Sequence, residues 1–144
     1  MKDMKLLWID LNCSFSNSFL ALPALHAQVK GNSQVEWTVV HSTNSEPAGI
    51  TVNAIYNHRP DVIAATAWLF THEQLMHIIK RVKALLPHAT VILGGPEFLG
   101  ENETFLRQNP EVNAVLRGEG EESFAEWLKI WNETEQWNTI PGLC

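Results

Sequence analysis

Five short apolar runs recur along the chain, each followed by a stretch with helical spacing, and this alternation limits the fold more than any other feature. The runs are Lys5 to Asp10, Val35 to His41, Asp61 to Thr66, Val91 to Leu93 and Val112 to Leu116. A continuous apolar run suits a strand buried on both faces, the condition met inside a parallel sheet. Strands that alternate with helices through right-handed crossovers build such a sheet between two helical layers. The expected fold class is therefore α/β, a flavodoxin/Rossmann-like three-layer fold with a five-stranded parallel sheet of order 2-1-3-4-5.

The intervening segments carry their own punctuation. A helix is expected over 21–29, with Pro23 in its first turn and Leu22, Leu25 and Val29 on one face. A second runs from Pro47 to Tyr56, with Ile50, Ala54 and Ile55 inward. The third starts at a capping box, Thr71-His72-Glu73-Gln74, in which the Thr oxygen accepts from the N3 amide. Leu75, Ile79, Val82 and Leu86 follow at helical spacing, with Ile78 and Leu85 beside them, until Pro87 stops the helix. Shorter helices are expected over 101–108 and 122–131, the last with Phe124, Leu128 and Trp131 on one face and Trp127 adjacent.

Composition narrows the function. At 144 residues, with 45% hydrophobic and 18% charged, the chain is sized for one ordinary domain with a proper core. A net charge of -6 gives no basic footprint, which argues against nucleic acid. No apolar run approaches the ~20 residues that span a bilayer, and Met1 to Lys5 leads straight into a strand rather than a signal peptide. Cys13 and Cys144 have neither disulfide nor metal spacing, so a cytoplasmic setting is expected. The six histidines show no ligand spacing either and read mostly as surface residues.

In sheets of this kind ligands bind beyond the carboxyl ends of the strands. Those loops hold Asn12 to Ser18, Thr66 to Phe70, Gly94 to Glu97 and Gly118 to Glu121. After Val91-Ile92-Leu93, the pair Gly94-Gly95 either makes a tight turn or removes side chains where a ligand comes close. A receiver domain would pair acids after the first strand and end the third on Asp, but only Asp10 is present and the third ends on Thr66. A cysteine phosphatase would place Arg six residues beyond Cys13, where Phe19 stands. Ser14, Ser16 and Ser18 fit either the phosphate of a flavin mononucleotide or ordinary turn and cap duties.

Three stretches together carry a resemblance: Pro60-Asp61-Val62-Ile63, Val91-Ile92-Leu93-Gly94-Gly95-Pro96-Glu97, and Val115-Leu116-Arg117-Gly118-Glu119-Gly120-Glu121-Glu122-Ser123-Phe124. In that order the chain resembles the N-terminal cobalamin (vitamin B12)-binding domain of radical SAM proteins, essentially over its whole length. The resemblance implies a corrin across the carboxyl edge and a nucleotide tail entering beside Gly94 and Gly95. The cofactor-binding set it implies is Asn12, Cys13, Ser14, Phe15, Thr66, Trp68, Gly94, Gly95, Pro96, Glu97, Gly118, Glu119 and Gly120, with Trp68 and Phe70 walling the corrin. Related domains carry Asp-x-His-x-x-Gly after the first strand, and the His ligates cobalt. Here Asn12 replaces that His and Phe15 the Gly, so base-off cobalamin without a histidine ligand is expected.

Residues 1–135 are expected to form the domain. Residues 136–144, with Ile140-Pro141-Gly142-Leu143, resemble the linker into a C-terminal radical SAM domain that would hold S-adenosylmethionine and a [4Fe-4S] cluster. By that reading the domain is no catalyst alone, and it positions the corrin for methyl transfer or a related radical reaction. Two alternatives stay open: a flavin mononucleotide module, and a cofactor-free scaffold that docks the catalytic barrel.

Overall fold

A computed structural model of the chain describes residues 3–12, 26–27, 34–118 and 120–144. Its strands are β1 (Met4–Asn12), β2 (Val35–Thr43), β3 (Val62–Thr66), β4 (Thr90–Gly94) and β5 (Ala114–Val115). Its helices are α1 (Ala48–His58), α2 (His72–Leu85), α3 (Glu103–Gln108) and α4 (Glu121–Lys129). All strand pairs are parallel, and the order is β2-β1-β3-β4-β5, as the alternation predicts. Of the helix expected over 21–29, His26 and Ala27 fall among the described residues, and both are helical.

Strand parity divides the core. Leu7, Ile9, Ile63, Ala65, Val91 and Leu93 face α1 and α2, where they meet Val52, Ile55, Leu75, Ile78 and Val82. The alternate residues, Leu6, Trp8, Val62, Ala64 and Ile92, face α4 and meet Phe124, Trp127 and Leu128. Both faces are covered, which is why the strands read as unbroken apolar runs. Among the described residues no helix is long and apolar enough to cross a membrane.

Several local expectations are corrected. Thr71 makes no capping bond to α2, because its backbone is already helical (φ -118°, ψ -7°) instead of extended as a side-chain cap needs. Its hydroxyl donates to the Trp68 carbonyl at 3.4 Å, and Gln74 donates to the Glu46 carbonyl at 3.3 Å. Ile50 lies outward, 57% exposed, because α1 turns Thr51, Val52 and Ile55 to the sheet. Leu85 is likewise exposed at the last turn of α2. β1 and β2 each run two residues beyond their expected ends, through Asn12 and Thr43, since they pair in register to that point. The fifth strand is shorter than expected, pairing only Ala114 and Val115 with β4. The final segment does not trail away. Leu143 bridges Leu116 antiparallel, and the Val115 and Cys144 backbones exchange hydrogen bonds of 3.1 and 2.8 Å.

Candidate functional site

The site is built where β1, β3 and β4 end, on the α4 face. Side chains two apart on a strand share a face. Thr66 therefore shares the face of Ala64, and Gly94 that of Ile92; Thr66 and Gly94 are partners in register. A side chain on Gly94 would stand above Ile92, and none is there. An added Cβ would meet nothing nearer than the Leu116 carbonyl oxygen at 3.7 Å. Below this opening lies a cavity of about 160 Å³. Its walls and floor include Trp8, Ala64, Ile92, Leu116 and Phe124; its mouth holds Thr66, Trp68, Gly95, Gly118, Gly120 and Glu121. It reaches two residues down the strands, roughly 7 Å at strand rise.

Gly95 does different work. It sits at φ 113°, ψ -179°, a region that only glycine occupies without strain. A Cβ there would stand 2.6 Å from the Ala67 carbonyl oxygen and 2.8 Å from Thr66 Cγ2. The chain thus folds back over the end of β3, and Phe98 N donates to the Gly95 carbonyl at 3.1 Å to close the turn. The two glycines differ: Gly95 makes the turn, and Gly94 leaves the opening without a side chain. Gly118 also has positive φ (84°), and Gly120 begins α4 by accepting from Phe124 N at 2.7 Å.

Aromatic contacts hold the walls. Trp8 stacks on Trp37 (6.0 Å between centroids) and meets Phe124 edge-on (6.3 Å). Trp68 stacks on Phe70 at 6.1 Å at the carboxyl edge, where Leu69 is 82% exposed.

The end of β1 forms a second cluster on the same face. Asp10 lies opposite His41 in register, and its Oδ2 is 2.8 Å from His41 Nδ1. Its Oδ1 accepts from Asn12 Nδ2 at 3.3 Å. Asn12 is buried, and among the described residues its Oδ1 has no hydrogen-bond partner. A buried acceptor without a partner calls for an explanation, and a ligand is one.

The structure therefore gathers Thr66, Trp68, Gly94, Gly95, Pro96, Gly118 and Gly120 around one cavity. Asn12 stands at the carboxyl edge without lining it, and Glu97 is exposed in the short turn Pro96–Phe98. Cys13, Ser14, Phe15 and Glu119 lie outside the described residues, as do Ser16 and Ser18. Sequence reasoning missed Trp8, Ala64, Ile92 and Phe124 as cavity residues, though parity with Gly94 and Thr66 marks Ile92 and Ala64. It also missed the Asp10–His41 contact, which depends on register between strands distant in sequence. Among the described residues no three His, Cys, Asp or Glu side chains gather to hold a metal.

Comparison with known proteins supplies a family. The sequence model of the B12 binding domain matches residues 20–128. The cobalamin-dependent radical SAM methyltransferase TokK of Streptomyces tokunonensis is 29% identical over 85 residues, 58% of this chain and 12% of TokK. The chain thus spans a small part of the relatives it matches. Among solved structures, the cobalamin-dependent S-adenosylmethionine radical enzyme OxsB, with aqua-cobalamin and S-adenosylmethionine bound, superposes with a TM-score of 0.75 at 13% identity. That match covers 97% of this chain and 20% of OxsB. The REC domain of RcsB from Salmonella enterica serovar Typhimurium also superposes, with a TM-score of 0.62 at 12% identity over 92% of this chain and 90% of that one. At these identities the likeness shows the fold alone.

Proposed function

The chain belongs to the B12-binding domain family, and from that premise we propose that it holds cobalamin with the nucleotide tail in the cavity below Gly94 and the corrin across the carboxyl edge. The observation that carries the reading is the blind cavity itself. Pockets for whole drug-sized ligands run to about 300–1,000 Å³. This one, at about 160 Å³, has room for a single ring system of a larger molecule whose remainder lies outside. The corrin, wide and flat, would lie on the edge beside Trp68 and the exposed Leu69.

The residues present fit such a group. Gly94 withholds the side chain that would close the opening. Trp8 and Phe124 supply flat apolar walls, and the Thr66 hydroxyl stands at the mouth. Asn12 Oδ1 offers an unpartnered acceptor toward an amide N–H on the ligand. Asn12 stands where related domains keep an imidazole, and an amide is a poor cobalt ligand beside it. The base-off form without a histidine ligand follows.

Bound cobalamin supplies a cobalt centre able to carry a methyl group. Around it the chain's own residues would bind and orient the group. The catalytic step belongs to a partner, and we assign that role to a radical SAM domain of the same polypeptide, with its S-adenosylmethionine and [4Fe-4S] cluster. Residues 136–144 would lead toward it, after the contact that Leu143 makes with Leu116. The relation to TokK supports this partnership.

The test is retention. The chain is mixed separately with hydroxocobalamin and flavin mononucleotide, desalted, and its absorption spectrum recorded. Corrin bands in the protein fraction are expected. Flavin bands without corrin bands would contradict the reading, and retention of neither would return the chain to a cofactor-free scaffold.

A further inference from the structure

We infer that the cavity sorts corrinoids by the base at the end of their nucleotide tail, admitting a benzimidazole-type base and disfavouring a purine-type one. The inference rests on the cobalamin reading above and adds a selectivity to it. Its source is where the polar groups are. Trp8, Ala64, Ile92 and Phe124, which lie below the level of Gly94, offer no side-chain hydrogen-bond acceptor. The backbones of Ala64 and Ile92 are partners within the parallel sheet, so their carbonyls are engaged in the ladder. Among the described residues, Thr66 and Glu121 are the lining side chains that bear oxygen, and they and the Leu116 carbonyl oxygen beside Gly94 belong to its mouth.

The two base classes differ at the edge that would enter first. A dimethylbenzimidazole presents a hydrocarbon edge, which the apolar floor receives without loss. An adenine carries ring nitrogens and an exocyclic amino group on its six-membered ring, and the amino group loses its water and meets no side-chain acceptor among the described residues of the cavity floor. Leaving a buried donor unpaired costs about 1–3 kcal/mol, which corresponds to binding weaker by about fivefold to 150-fold. The walls cannot easily give way to admit water, because Trp8 is held between Trp37 and Phe124, and Phe124 is itself stacked on Trp127 at 6.2 Å.

Three ligands separate the possibilities in one titration of the chain, followed by corrin absorbance and by quenching of tryptophan emission. They are cobalamin, its analogue with adenine as the lower base, and cobinamide, which has no nucleotide tail. Cobalamin is expected to bind tightest, with the adenine analogue weaker by about fivefold or more and cobinamide also weaker. An adenine analogue that binds as tightly as cobalamin, or tighter, overturns the selectivity while leaving the cobalamin reading intact. Cobinamide binding as tightly as cobalamin overturns the selectivity and the placing of the tail in the cavity, while cobalamin binding itself stands. Failure of all three to bind overturns the cobalamin reading and the selectivity with it. Ile92→Thr places a hydroxyl acceptor on the floor, and in a variant that melts cooperatively the cobalamin-to-adenine ratio should fall; an unchanged ratio would remove Ile92 from the selecting surface.

Discussion

Gly94 and Gly95 are adjacent, and yet their substitutions should fail in different ways. At Gly94 a Cβ meets only ordinary contact with the Leu116 carbonyl, so Gly94→Ala should fold normally and Gly94→Leu should fill the opening. Cobalamin retention by Gly94→Leu is expected to drop at least about tenfold, the loss of one well-buried group's interactions, with an unchanged circular dichroism spectrum. At Gly95 both the positive φ and a backbone oxygen at 2.6 Å oppose any side chain. Gly95→Leu should lose roughly 3 kcal/mol or more of stability and melt early or not fold. If instead Gly95→Leu melts like the parent and only Gly94→Leu is destabilised, the two roles are reversed. The glycine pair was legible in the sequence because Gly-Gly-Pro after an apolar run is conspicuous. Which glycine does which was not, because φ at Gly95 is fixed by the crossing of Ala67 over the strand end, a tertiary contact with no local signature. Asn12 was legible by its offset from Asp10, whereas its partnership with His41 through Asp10 required the β1–β2 register.

At the scale of elements, the helices that carry a strong apolar stripe were read well and their ends less so. α2 is the example. Its buried face, Leu75, Ile78, Ile79 and Val82, follows from spacing alone. Its start does not, since a Thr-x-x-Gln pattern has two other acceptors within reach, the Trp68 and Glu46 carbonyls, and tertiary context chose those. Near its other end Lys83 reaches out of the helix to the Ala89 carbonyl and to Asn113 Oδ1, which also accepts from Val91 N at 2.8 Å. Burial lowers the Lys83 pKa from its ordinary 10.5. The folded state therefore binds fewer protons than the unfolded state between that lowered value and 10.5, and stability contributed by neutral Lys83 is lost as pH falls through the window. Relative to Lys83→Met, the parent should gain melting temperature as pH is raised toward 10.5; a constant difference would show that its charge is not penalised in the fold. The last strand-like segment is held by Gly142, at φ 77°, where a Cβ would come 2.8 Å from the Arg117 carbonyl oxygen. Gly142→Ala should cost about 2 kcal/mol, a fall of on the order of 5 °C in Tm. No change in Tm would show that residues 140–144 contribute little to the domain.

For the whole molecule, the order β2-β1-β3-β4-β5 and the two helical layers were legible because alternation and chirality leave few topologies. The cavity was legible only at its rim, because the loops announce themselves with glycine while Trp8, Ile92 and Phe124 look like any other core residues. The same architecture superposes on a REC domain, so the fold does not carry the function. What carries it is an apolar cavity sized for one ring system beneath a glycine, beside a strand end that offers an amide in place of an imidazole. On the proposed reading, the lower base would leave cobalt and be replaced by no protein nitrogen. Electron paramagnetic resonance of the Co(II) form bound to the chain reads this directly. Cobalt hyperfine lines without superhyperfine splitting from a nitrogen are expected, and that splitting should appear in Asn12→His. Splitting from one nitrogen in the parent chain would contradict it.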